Sequence, residues 1–180
     1  MIVLNVQNLR RVKRAVPFIE SKIKVKVEAV KPSGRLVING KQVDCYIVEK
    51  VLRAVDFGFD VEDAMLLKSD DFSLEFIDIK EHTHRKNLKE VRARVIGREG
   101  KAKNTIEELT GSVIVVNANT VGVIVDSNHV DSCLQGLTSL IQGAKHGNVF
   151  AYIEKQNAKL RQIDEDDLGL KEKFAASDVE

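Results

Sequence analysis

The sequence predicts an α+β protein in which one strand–helix–strand–strand–helix pattern is used twice. Three observations lead there. Apolar residues switch repeatedly between the alternating spacing of a strand and the three-to-four spacing of a helix. Ile19-Glu20 matches Ile106-Glu107, Ile38 matches Val125 and Val43 matches Val130, all at a constant offset of 87. In the second pass only, two helical runs are joined by a four-residue stretch with glycine at both ends, Gly97-Arg98-Glu99-Gly100.

The first pass opens with an apolar strand, Ile2 to Val6. Leu9, Val12, Val16, Ile19 and Ile23 follow at helical spacing, and Pro17 is expected to start a new helix or kink this one. Lys24 to Val30 alternates, with Val25, Val27 and Ala29 on one face, and so reads as a strand. Lys31-Pro32-Ser33-Gly34 is a turn signal, and Arg35 to Ile38 is the returning strand. A long helix from Lys41 to about Gly58 is expected to carry Val43, Tyr46, Ile47, Val51, Ala54 and Val55 inward. Residues 59–71 read as a short helix or linker, with Leu66 and Leu67 packed.

The second pass begins with a strand through Leu74 and Phe76, extending toward Ile79. Leu88, Val91 and Val95 then mark a helix, and a second helix starts near Lys101 with Ile106 and Leu109 as its apolar stripe and Gly111 at its end. Val113 to Val116 and Val121 to Val125 are strands around Asn117-Ala118-Asn119. A closing helix carries Val130, Cys133, Leu134, Leu137, Leu140 and Ile141 on one face and stops at Gly143. A last helix runs to about Arg161, and beyond Ile163 the acidic stretch Asp164-Glu165-Asp166-Asp167 reads as a mobile tail. The opening strands, near Leu4 and Phe76, are only 72 residues apart, so the first pass is 15 residues shorter than its offset requires. The missing interval is the one that holds the glycine-flanked loop in the second pass, and no glycine precedes Gly34.

Composition narrows the classes. No apolar run reaches membrane-spanning length and the N-terminus has no signal-peptide layout. Cys45 and Cys133 both fall in predicted helices and read as buried free thiols of a reducing compartment, so a cytoplasmic protein is expected. The net charge of +1 hides alternating blocks. Residues 1–50 hold 11 Lys/Arg against 4 Asp/Glu, residues 51–79 hold 2 against 8, residues 80–103 hold 9 against 3, and residues 104–180 hold 6 against 12. The loop therefore lies in a basic segment of a nearly neutral chain, which suits a confined phosphate contact.

The chemistry of the loop points the same way. Glycine at both ends lets the chain turn sharply and lets another backbone approach. Its amides open the following helix, where the helix dipole favours an anion. A nucleotide-binding P-loop is not met: Gly100-Lys101 is followed by Ala102 and lacks the glycine five positions earlier. His82, His84, His129 and His146 with the two cysteines match no zinc spacing, so no metal is expected. No Ser/His/Asp or paired-carboxylate layout stands out, so the protein is expected not to be an enzyme and to need no cofactor.

A hydrophobic pair, GXXG, a basic residue and then Ile-Glu-Glu-Leu-Thr-Gly before a strand resemble the nucleic-acid clamp of a KH domain, which holds about four nucleotides of a single strand. A glycine-less copy followed by an intact one, with Gly143-Ala144-Lys145-His146-Gly147-Asn148-Val149-Phe150 after the last helix of the second, resembles the partner-of-Nob family over residues 2–160. These are also called dimethylase-interacting proteins, and the chain has the size of the archaeal members. The resemblance implies two tandem type I KH domains, each an antiparallel three-stranded sheet backed by three helices, the first lacking the GXXG loop. Residues 1–70 would be the degenerate domain, 71–150 the intact one, and 151–180 a C-terminal helix and acidic-to-mixed tail.

The resemblance further implies ribosome biogenesis: binding the single-stranded 3′ region of small-subunit rRNA and presenting it to the Nob endonuclease on the maturing small-subunit particle. The candidate RNA contacts are Arg92, Arg94, Val95, Ile96, Gly97, Arg98, Glu99, Gly100, Lys101, Lys103 and Asn104, with Val95 and Ile96 lining the base groove. Glu99 departs from what a phosphate clamp wants. The rivals are a KH scaffold that binds protein, a general regulator of messenger RNA, and a single-stranded DNA binder. With only 5% aromatics, a stacking platform of the kind used by many single-strand binders is not expected, and recognition is expected to rest on backbone clamping and Watson–Crick-edge contacts in an aliphatic groove.

Overall fold

In a computed structural model, the backbone is described for residues 2–30 and 35–175 and side chains for residues 2–29 and 35–162. The turn expected at Lys31–Gly34 lies outside the described residues. The first half contains β1 (Ile2–Asn5), α1 (Leu9–Lys22), β2 (Val25–Val30), β3 (Arg35–Gly40), α2 (Gln42–Phe57), the single turn α3 (Val61–Ala64) and a 3-10 turn at Met65–Lys68. The second contains β4 (Phe72–Asp78), the turn α4 (Ile79–His82), α5 (Leu88–Ile96), α6 (Lys101–Thr110), β5 (Val113–Asn117), β6 (Thr120–Asp126), α7 (Val130–Gln142) and α8 (His146–Ala175). Each half has a three-stranded antiparallel sheet, in the orders β1-β3-β2 and β4-β6-β5.

The repeat extends to side-chain chemistry. Glu20 on α1 accepts the N–H of Val27 at 2.8 Å, and Glu107 on α6 accepts that of Ile114 at 2.7 Å. Both pairs keep the offset of 87, and each carboxylate ties a helix to the edge strand behind it. A charge-assisted bond of this kind contributes about 1.5–3 kcal/mol.

Several expectations are corrected. The first sheet is backed by two helices of full length, not three, because the 15 missing residues are those that form α5 and the loop in the second half. Pro17 does not begin a helix: α1 runs unbroken through it, with Val12 and Ala15 on one side and Ile19 on the other all buried in the same core. Val43 and Tyr46 face solvent at 71% and 56% exposure, because the stripe that packs inward is Cys45, Val48, Val51, Leu52 and Val55. Leu67 is buried whereas Leu66 is exposed, as a tight 3-10 turn can bury only one of two neighbours here. Ile79 is buried but opens α4 instead of extending β4. The last helix continues past Arg161 to Ala175, where Glu165, Leu168, Leu170, Lys171, Glu172 and Lys173 are good helix formers and outnumber the three aspartates and Gly169. Residues 176–180 of the expected tail lie outside the described residues.

The two sheets are covered differently. In the second, Ile77, Val121, Val123, Val125 and Ile114 pack with α5, α6 and α7. The opposite face, carrying Leu74, Ile124, Val113 and Val115, packs into the core of the first half. Gly122 lies on that face, and a Cβ there would stand 2.6 Å from Phe57 Cε1 and 2.9 Å from Phe59 Cε2. Asn117 also donates to the Phe57 carbonyl at 2.8 Å. The first half is thus the second layer over the sheet that carries the loop.

Cys45 and Cys133 are both buried and unbridged. Burial pushes the Cys133 thiol above its usual pKa, against the smaller lowering effect of its contacts with Ser112 and Thr110. Such a thiol stays protonated and unreactive, a packing group and not a nucleophile.

Candidate nucleic-acid interface

The loop between α5 and α6 is built by two glycines with unequal duties. Gly97 ends α5 at φ 78 and ψ 172 and donates its N–H to the Ala93 carbonyl at 2.8 Å. A Cβ at Gly97 would sit 2.6 Å from the Ala102 nitrogen and 2.7 Å from Ala102 Cβ, so only glycine lets α6 start this close. Gly100 follows at φ 79 and ψ 1, closing a turn in which its N–H reaches the Gly97 carbonyl at 3.3 Å. A Cβ there would meet nothing nearer than Asn104 Oδ1 at 3.7 Å, so its demand is conformational only. Arg98 and Glu99 form the exposed tip. No side chain caps α6, and although the Lys101 N–H is taken up by the Arg98 carbonyl, the positive end of the helix dipole still faces the loop and suits an anion.

The expected contact residues divide sharply. Arg98, Lys101 and Asn104 are exposed around the loop. Arg92 instead donates to the Ala118 carbonyl at 2.7 Å, fastening α5 to the β5–β6 turn. Arg94 donates to the Gly143 carbonyl at 2.9 Å and to that of Ala144, where a cation suits the C-terminus of α7. Lys103 is held by both carboxylate oxygens of Glu107 at 2.8 Å. Val95 is fully buried with Val91 and Ile106, so it supports the loop from the core and does not line a groove. Ile96 is half-buried. Of the five cations expected, two are left facing solvent.

His146 and Phe150 were not among the expected contacts, yet they line a depression beside Gly97, Arg98 and Lys101. The segment that contains them is distinctive in sequence, but nothing local to it says that α8 returns to the loop. His146 lies 2.9 Å from the Arg94 carbonyl, a partner 52 residues away.

The first half has no counterpart of this loop, and the chain leading to the Ile19-Glu20 match carries the basic run Arg10-Arg11-Val12-Lys13 instead. Those residues lie inside α1. The amides at its entrance are already used: Asp56 accepts the N–H groups of Gln7 at 3.0 Å and Asn8 at 2.6 Å. Arg11 is turned to the Phe59 carbonyl and Asp60. An internal carboxylate thus occupies the start of the helix.

Glu99 adopts φ 55 and ψ 27, left-handed backbone that costs a non-glycine residue about 1 kcal/mol or more. Asparagine tolerates this conformation and carries no charge. Glu99→Asn is therefore expected to leave stability equal or higher and to tighten binding of a single-stranded RNA about two- to fivefold, by removing a like charge near phosphate. Fluorescence anisotropy at moderate salt measures this; weaker binding by the variant would mean that Glu99 helps hold the ligand.

A mixed sheet-and-helix layer with a helix–loop–helix of this form defines a KH-type protein. A family model described as the eukaryotic-type KH domain, type I, the second in PNO1, matches residues 73–158. A KH domain-containing protein of Methanocaldococcus jannaschii is 34% identical over 150 residues, covering 80% of this chain and 66% of that protein. The pre-rRNA-processing protein pno1 of Aspergillus oryzae is 30% identical over 118 residues, covering 63% of this chain and 45% of that protein. A chain from the crystal structure of the a/eIF2alpha–aDim2p–rRNA complex of Pyrococcus horikoshii superposes with a TM-score of 0.77 at 23% identity, over 88% of this chain and 94% of its own, a likeness of fold. The chain belongs to the PNO1/Dim2 family.

Proposed function

We propose that this chain is an RNA-binding ribosome-biogenesis factor that clamps the single-stranded 3′ region of small-subunit rRNA in its second KH domain. The observation that carries the reading is the loop itself: the start of α6, free of any side-chain cap, beside exposed Arg98 and Lys101. On this reading residues 71–150 form the domain with the working GXXG clamp. Residues 1–70 form a degenerate type I domain whose helix entrance is filled by Asp56 and whose task is to cover the second sheet. The rRNA of the Pyrococcus complex and the pre-rRNA processing of the Aspergillus relative support rRNA as the ligand. The protein itself changes no covalent bond; it presents the strand to a Nob-type endonuclease on the pre-small-subunit particle, in the cytoplasm.

The test is a pair of substitutions at the tip, Arg98→Asp with Glu99→Asp, which places two carboxylates where phosphate would lie. The variant should melt like the wild type and lose at least tenfold in affinity for a small-subunit 3′ RNA fragment. Wild-type affinity should fall with salt, by a slope of about 0.7 per phosphate held. Unchanged affinity in the variant, or a flat salt response, would move the protein to the scaffold class.

A further inference from the structure

Next to the loop, where α8 begins, lies a shallow depression that phosphate clamping leaves unused. Ala102 and Thr105 contribute its base, Arg98 and Lys101 stand exposed at its margin, and His146 and Phe150 wall it. The two rings are 6.1 Å apart and inclined by 52°. His146 is fixed in place: its Nε2 meets the Arg94 carbonyl at 2.9 Å, and a carbonyl only accepts, so that nitrogen carries a proton. Thr105 donates its hydroxyl to the Lys101 carbonyl at 2.8 Å, so the base of the depression has its polar group already satisfied. Phe150 packs on the second core and is only half-buried, leaving part of its ring open. Neither Arg98 nor Lys101 makes an ion pair among the described residues.

An aromatic surface flanked by free cations, sharing Arg98 and Lys101 with a phosphate-binding loop, fits one ligand chemistry. We propose that the depression receives the base of the nucleotide adjoining the clamped stretch, stacked on Phe150, with Arg98 and Lys101 at the phosphate that links it to the clamp. This rests on the loop being an RNA clamp, and it extends the footprint by one base on the α8 side. Base–aromatic stacking is tolerant of sequence, so the subsite adds affinity and register more than base selection. An acidic peptide would use the cations but leave the ring idle.

The test uses the whole chain and 12-nucleotide single-stranded RNAs of mixed sequence with one abasic site moved along the strand. In the wild type, one abasic position outside the stretch sensitive to Arg98→Asp with Glu99→Asp should weaken binding about tenfold. Phe150→Leu, which keeps apolar bulk, should weaken the intact RNA by a similar factor and make that abasic position silent, while Phe150→Tyr should bind like the wild type. If Phe150→Leu melts early, the wild type decides alone: 2-aminopurine at that position must be quenched on binding. Unchanged emission at every position, or wild-type affinity in a folded Phe150→Leu, overturns the subsite while leaving the clamp standing. If the double substitution at the tip does not weaken binding, the clamp reading fails and the subsite falls with it.

Discussion

Alanine at position 97 is expected to abolish RNA binding and to destabilise the protein by about 2–4 kcal/mol, the sum of overpacking and positive-φ strain. The added methyl would sit 2.6 Å from a backbone nitrogen, and backbone at the start of a helix cannot swing aside as a side-chain tip can. Either α6 unwinds its first turn or α5 and α6 separate. Both outcomes move the amides that define the clamp, so affinity should fall by more than the tenfold expected for charge reversal at the tip. Gly100→Ala is the internal comparison. It shares a positive φ, at 79, but meets only Asn104 Oδ1 at 3.7 Å, so its loss should be about 1 kcal/mol. Thermal melts with anisotropy titrations on both variants measure the difference. Equal effects would mean that the α5–α6 approach is not what Gly97 serves.

Valine at position 122 is expected to destabilise by about 1–3 kcal/mol, lowering the melting temperature by roughly 3–10 °C. The sign makes this informative. Valine is a far better strand residue than glycine, so β6 considered alone should gain about 1 kcal/mol. The loss comes from outside the strand: the new side chain would enter space held by Phe57, whose ring carbons lie 2.6 and 2.8 Å from the Cβ position, and by the fully buried Phe59. Stabilisation by Gly122→Val would mean that the first half does not seal the second sheet in solution. Removing the obstruction should restore the strand preference, so Phe57→Ala should make the valine less harmful, a coupling that a double-mutant cycle reads directly.

How much of this was legible in sequence depends on how far apart the interacting residues lie. The strands and the repeat were readable because alternation and helical spacing are local, and the match of Glu20 to Glu107 marks a bond that both halves make. The glycines of the loop were readable because a sharp turn demands them. Which cations are free was not readable for Arg92 and Arg94, whose partners lie 26 and about 50 residues away. Lys103 was different: Glu107 stands four residues on, and helix geometry alone brings that pair together. The strands also carry a signal of layering. β2 alternates and its lysine and glutamate face solvent, whereas β5 and β6 are nearly continuous apolar runs, as a sheet covered on both faces requires. Nor was it readable that one of the seven phenylalanines, Phe150, stands beside the loop, since α8 returns there from about 50 residues along the chain.

The most direct test of the central claim is to crosslink the protein to RNA in cells and map what is recovered, with the Arg98→Asp, Glu99→Asp variant alongside. The account predicts fragments concentrated in precursor rRNA near the 3′ end of the small-subunit sequence, and their loss in the variant. Recovery spread over messenger RNAs without enrichment of ribosomal sequence, or equal recovery by wild type and variant, would contradict it.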